Sequence, residues 1–183
     1  MTAHDLPRRL HWGCGDDTHE GWLNSDLLAC SGTDLPADIR YGLPLRESCL
    51  DYIFSSHALQ MLPYAGLVPA LRELRRVLRP GGVLRMGLPD VDRAIAAYQS
   101  GDAAYFYVPD ADALTVAGKL SVQLTWYGSS LTLLNFDYTR ELLYRAGFTD
   151  VRGSAFGCTG SEFSEIASLD NRQRESFFVE AWK

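Results

Sequence analysis

A short apolar run entering a glycine bend, Leu10-His11-Trp12-Gly13-Cys14-Gly15, constrains this chain most, together with Asp26 at the end of Leu23-Asn24-Ser25-Asp26-Leu27, eleven residues after Gly15. Glycines let backbone N–H groups approach a ligand with no Cβ in the way. A carboxylate ending the next strand can accept two hydrogen bonds from a ribose diol. The pair points to a nucleotide-like ligand across the carboxyl ends of parallel strands. A plain turn is the alternative for the glycines, and a helix-capping or turn role for Asp26.

The rest of the pattern builds a sheet around that bend. Residues 9–13 and 22–27 read as the first two strands, and Leu50-Asp51-Tyr52-Ile53-Phe54-Ser55 as another. Gly66 to Leu78 is an expected amphipathic helix with Leu67, Leu71, Leu74 and Leu78 on one face, stopped by Arg79-Pro80-Gly81-Gly82. Val83-Leu84-Arg85-Met86-Gly87-Leu88-Pro89 reads as a buried strand. A second helix is expected from Asp137, as N-cap, to Ala146, ahead of Gly147. Strands at 150–156 and 176–182 close the chain and are free to pair antiparallel. The alternation predicts an α/β fold, a doubly wound, mostly parallel sheet in three α/β/α layers. Only about eight residues separate the first two strands, so their crossover helix must shrink to a turn or two.

At 183 residues and 46% apolar content, the chain fits a single domain spanning 1–183. Its formal net charge of −6 disfavours a nucleic-acid surface and tolerates a cationic ligand. The opening nine residues carry no signal-peptide core, and no run reaches membrane-spanning length. Cys14, Cys30, Cys49 and Cys158 have no metal or disulfide spacing, which predicts reduced thiols in a cytoplasmic protein. Asp90 and Asp92 follow a strand end without a third ligand, favouring a loop or helix-start role over a metal site.

Five segments in this order resemble the class I S-adenosylmethionine-dependent methyltransferases, specifically a short bacterial branch. They are Leu10–Gly15, Gly21–Leu27, Leu50–His57, Leu74–Gly82 and Leu142–Phe148. The resemblance implies a Rossmann-like fold closed by an antiparallel terminal strand, with S-adenosylmethionine as cofactor. It implies that Gly13, Cys14 and Gly15 cradle the methionine part and that Asp26 and Leu27 meet the ribose side. Asp38 and Ile39 would border the adenine, with Asp38 accepting from its amine. Ser55 and Ser56 would face the methionine carboxylate or the sulfonium. Two departures stand out: Gln60 and Met61 occupy places where relatives carry a Glu-His pair, and the first strand begins by about residue 9. Covering N-terminal helices are therefore not expected, leaving enclosure to other segments or a partner subunit.

His57, at the end of a central strand, is the expected catalytic base, with helix capping or packing as its alternative role. A base helps a hydroxyl or a protonated amine by roughly a hundred- to ten-thousand-fold. Residues 98–136 are the least family-like and form an expected lid or substrate insertion. Tyr107, Trp126 and Tyr127 are its expected acceptor contacts, unless its aromatics are core or homodimer-interface residues. The predicted function is methylation of a small molecule, at oxygen first and nitrogen second. The rivals are a non-catalytic cofactor-binding module and an enzyme using the cofactor without methyl transfer. A dehydrogenase is weaker, since its acidic residue comes about twenty residues after the glycines.

Overall fold

In the computed structural model, residues 8–183 are described, so most of the opening segment read for a signal core lies outside the described residues. The strands are β1 (Arg9–Trp12), β2 (Leu23–Asp26), β3 (Leu35–Pro36), β4 (Leu50–Ser56), β5 (Leu78–Pro89), β6 (Asp150–Ser154) and β7 (Ser176–Trp182). They form one seven-stranded sheet in the order β3-β2-β1-β4-β5-β7-β6. The first five pair in parallel, whereas β7 runs antiparallel between β5 and β6. Chain direction across the sheet reverses between β1 and β4, the place where open α/β sheets leave a crevice at their carboxyl ends.

Helix α1 (Tyr64–Val77) buries Leu67, Ala70, Leu71, Leu74 and Val77, a three-and-four spacing that makes one apolar stripe. It packs beside α4 (Phe136–Ala146), whose Leu142 and Leu143 join the same cluster against Leu10, Ile53, Leu84 and Met86 of the sheet. Each such fully buried leucine stabilises the fold by roughly 1.5–3 kcal/mol. The opposite face carries Trp22, Tyr52, Phe54 and Val83, covered by Ile166 and Leu169 from a 3-10 segment, Ser164–Leu169. The second outer layer is thus made of loop and 3-10 turn more than of long helices. Helices α2 (Val91–Ser100) and α3 (Val116–Thr125) build a small third cluster around Tyr105 and Phe106.

The expected fold class holds, and several boundaries move for local reasons. Helix α1 begins two residues early, with Pro63 at its N-cap. The Arg79–Gly82 stretch ends it and is also a bulge inside β5, because Leu50 faces Leu78 while Tyr52 already faces Val83. Asn135, not Asp137, caps α4, its Oδ1 accepting the Tyr138 N–H at 2.9 Å. Residues 13–22 cross from β1 to β2 as turns with no helix at all. One feature had no readable signal, β3, two residues long, whereas the helix start read at Asp90 is found: Asp90 caps the alanine-rich α2 by accepting the Asp92 and Arg93 N–H groups.

Candidate active site

The glycine bend is clamped onto β2. Gly13 and Cys14 donate to the Ser25 carbonyl at 2.7 and 3.2 Å, and the Gly15 N–H donates to Asp26 Oδ2 at 2.9 Å. Gly13 has φ +70°, and a Cβ there would sit 2.3 Å from Ala58 Cβ, so only glycine permits this approach. Gly15 has φ +52°, but a Cβ there would meet no protein atom. The other oxygen of Asp26 accepts the Leu28 N–H at 3.2 Å. Each carboxylate oxygen thus spends one lone pair on the bend and keeps a second. Leu27 and Leu28 beside it are 59% and 67% exposed, large apolar side chains at the rim. Cys14 packs inward, where burial pushes its thiol pKa up.

Ser55 is fully buried on β4, near Gly13, and its hydroxyl has no hydrogen-bond partner among the described residues. Ser56 donates to Asn171 Oδ1 at 2.5 Å, and Asn171 donates in turn to Asp17 at 3.3 Å. This strap from the β6–β7 connection ties the end of β4 to the glycine loop. Asp38 behaves differently from expectation. It caps a 3-10 turn at Ile39–Tyr41, and Arg40 chelates its carboxylate at 2.9 and 2.6 Å, holding its pKa below the ordinary carboxylate value. Ile39 is buried in the main core. The two residues therefore build the turn, and the structure does not present them as an open adenine edge.

Beyond β4 and β5 lies a cavity of roughly 300 Å³, lined among others by His57, Gln60, Asp90, Tyr105, Trp126 and Arg172. Residues 98–136 supply one wall, through Tyr105, Leu124 and Trp126. Of the expected acceptor contacts only Trp126 lines it. Tyr127 turns away to hydrogen-bond Asp112 at 2.6 Å, and Tyr107 is 46% exposed with the Arg174 guanidinium 4.0 Å from its ring centroid. Trp126 and Tyr127 are consecutive left-handed residues whose rings pack edge to face at 5.8 Å, with Trp126 on the cavity side. Among the described residues, five non-glycines have positive φ, and three of them, His57, Trp126 and Arg172, line the cavity. Such conformations cost roughly 1–3 kcal/mol each and concentrate at functional sites. Tyr105, Gln60, Arg172 and Glu175 were not read as site residues. Only the first two left a trace, as one aromatic among many and as a departure from relatives.

His57 donates its backbone N–H to the Gly87 carbonyl at 2.9 Å, while its Nε2 pairs with the Ser176 hydroxyl at 2.7 Å. Burial, reinforced by the Arg172 cation, pushes its pKa from 6.5 down to about 3. His11, buried beneath the glycine loop, is likewise pushed to about 4, by burial first and His19 second. Both rings are neutral in the folded protein at pH values where the unfolded chain takes up protons. Stability therefore falls as pH drops through about 6.5, each histidine steepening the loss toward about 1.4 kcal/mol per pH unit. Urea denaturation at pH 7.5, 6 and 5 should show this slope, and it should flatten in His57→Asn, since asparagine tolerates φ +50°. An unchanged slope would mean that His57 is not held neutral.

Strand order, glycine bend and acidic strand end together give the fold of the class I S-adenosylmethionine-dependent methyltransferases. Residues 14–86 match the family model described as Methyltransferase domain. The chain superposes on a SAM-dependent methyltransferase from Archaeoglobus fulgidus with a TM-score of 0.63 at 15% identity, over 98% of this chain and 87% of that one. A second, from Thermotoga maritima and described as a possible histamine N-methyltransferase, gives 0.59 at 14%, over 97% and 83%. A Haemonchus contortus phosphoethanolamine N-methyltransferase, in complex with S-adenosylhomocysteine, gives 0.52 at 12%, over 97% and 49%. No protein of curated function matches in sequence. The motif-based expectation of a methyltransferase domain and of its fold holds, and S-adenosylmethionine is the cofactor of that class. The residues fit it: the Ser55 hydroxyl lacks a partner, Asp26 retains lone pairs, and the space beside Gly15 is open. Among the described residues no helix is long and apolar enough to cross a membrane.

Proposed function

We propose that this methyltransferase acts on a small molecule bound in the cavity between His57 and Trp126. The observation that carries the reading is the clustering there of three left-handed, non-glycine residues from segments far apart in sequence. S-adenosylmethionine, when bound, supplies an activated methyl group for in-line displacement, so the protein's task is mainly alignment, worth roughly 7–11 kcal/mol. In this reading Gly13 and Gly15 cradle the methionine part, Asp26 takes the ribose diol, Leu27 covers the base, and Ser55 binds the methionine carboxylate. His57 orients the acceptor as a neutral hydrogen-bonding group. An imidazole with a pKa of about 3 has little driving force to strip a hydroxyl at neutral pH. The oxygen-first order expected from the sequence therefore yields to nitrogen. The net charge of −6 supports a small acceptor over a nucleic acid, and four unpaired cysteines suit the reducing cytoplasm.

The test is calorimetric titration of the parent and of Gly15→Ala with S-adenosylhomocysteine and with NAD. The parent should bind only the first. Gly15→Ala should lose about 1–2 kcal/mol of stability from its left-handed backbone, yet lose tenfold or more in affinity as its methyl fills the cradle. Binding of NAD alone would end the reading, and an unaffected variant would remove Gly15 from the site.

A further inference from the structure

Two residues of the cavity lining each carry a buried polar side-chain atom with no partner among the described residues. One atom is Oε1 of Gln60, a side chain 5% exposed, and the other is the hydroxyl of Tyr105, 9% exposed. The amide orientation of Gln60 is fixed by chemistry. Its Nε2 donates to the His57 carbonyl at 2.6 Å, and only the NH2 end can do so. Its carbonyl end is therefore an acceptor waiting for a donor. Leaving such a group unpaired and buried costs roughly 1–3 kcal/mol. The Tyr105 hydroxyl keeps its proton, because burial and then Asp90 and Glu175 push its pKa up to about 12.

Two carboxylates and one guanidinium line the cavity with these residues. Glu175, 6% exposed, lines the cavity with one ion-pair contact, to Arg172 at 3.3 Å. Asp90 also lines it, bound to Arg93 at 3.1 Å. Arg172, whose side chain is 47% exposed, is the only cation in the lining. A carboxylate ligand would face two carboxylates and an unpaired carbonyl oxygen. A neutral alcohol offers one donor. An amine offers two or three, together with a positive or partly positive nitrogen.

We propose that the acceptor is a small amine whose N–H groups pair with Gln60 and Tyr105 beside Glu175, its apolar body lying against Trp126 and Leu134. This rests on the methyltransferase reading above and adds the acceptor's chemical class. The balance is simple. The nitrogen lone pair forms the new N–C bond as the C–S bond breaks, its electron pair going to sulfur. The amine gives up its ammonium proton to bulk solvent before the attack and reacts as the neutral base; the sulfonium's positive charge passes to nitrogen, and the product leaves as the methylammonium, with no proton for His57 to take.

The experiment uses full-length protein saturated with S-adenosylhomocysteine. 2-Phenylethylamine, 2-phenylethanol and phenylacetate are then titrated as probes of one shape. The amine should bind at least tenfold tighter than the alcohol, and phenylacetate weakest. Tyr105→Phe, which removes an unpaired hydroxyl and should fold at least as well as the parent, should narrow the amine–alcohol gap several-fold without changing S-adenosylhomocysteine binding. Gln60→Leu should narrow it further. Failure of S-adenosylhomocysteine to bind would overturn the methyltransferase reading itself. Normal binding of S-adenosylhomocysteine, with amine and alcohol equal or the gap intact in Tyr105→Phe, would overturn the amine assignment alone.

Discussion

Asp26→Ala is expected to bind S-adenosylhomocysteine a hundredfold or more weaker than the parent. The expectation follows from the lone-pair count. One lone pair on each oxygen is committed to the Gly15 and Leu28 N–H groups, and the second on each is left for a ribose hydroxyl. Hydrogen bonds to an ionised acceptor contribute about 1.5–3 kcal/mol each. Losing two therefore costs at least about 3 kcal/mol, or two decades in Kd. The loss of the two backbone contacts should lower stability by only about 1 kcal/mol, because both lie at a partly exposed loop. Asp26→Asn should fall between, keeping one acceptor oxygen and losing the charge. Titration calorimetry reads all three proteins directly. A Kd for Asp26→Ala within threefold of the parent would rule out ribose binding by this residue.

The second large effect is expected far from the cofactor cradle. Arg85 on β5 is fully buried, its Nε donating to Asp170 at 2.7 Å, one Nη to Glu180 at 2.9 Å and to Ser154 at 3.0 Å, and the other to Asp170 and the Ala155 carbonyl. Glu180 is further bound by Thr159 and by the Gly160 N–H, and Asp170 by the Gly157 N–H. Removing the cation would strand two buried carboxylates. Breaking a buried pair this way costs roughly 3–5 kcal/mol, against a total stability of about 5–15 for a typical domain. Arg85→Met should therefore lower Tm by about 6–20 °C, from a scale of roughly 2–4 °C per kcal/mol at this size. Adding Asp170→Asn and Glu180→Gln should restore part of it, because amides are less costly to bury than charges. A Tm shift under about 3 °C for Arg85→Met, or no recovery in the triple variant, would refute the charge argument. The loop so anchored continues into Asn171, Arg172 and Glu175, so the acceptor cavity should loosen with it.

How much of this was legible depends on the distance over which each feature is decided. The Leu67–Leu71–Leu74 stripe reads as a helix because neighbouring turns already show its buried face. The closing strand at 176–182 was readable for the same reason, whereas its place between β5 and β6 was not. Asp38 looked open because its spacing hides Arg40, which folds back only once the 3-10 turn forms. Tyr107 and Tyr127 looked like cavity residues because a run of aromatics carries no record of which ring faces inward. Asp112 decides it for Tyr127 and the Arg174 guanidinium for Tyr107.

The amino-acid order alone determined the parallel sheet, the glycine bend and the acid that follows it. Those features are settled within windows of ten to fifteen residues by apolar period and by the left-handed conformation that favours glycine. Tertiary structure alone decided that Gln60, Tyr105 and Glu175 share one cavity and that Arg85 lies between Asp170 and Glu180. Side chains so far apart in sequence meet only through the order in which strands join the sheet. Burial then fixes which of their polar atoms find a partner and which are left for a ligand.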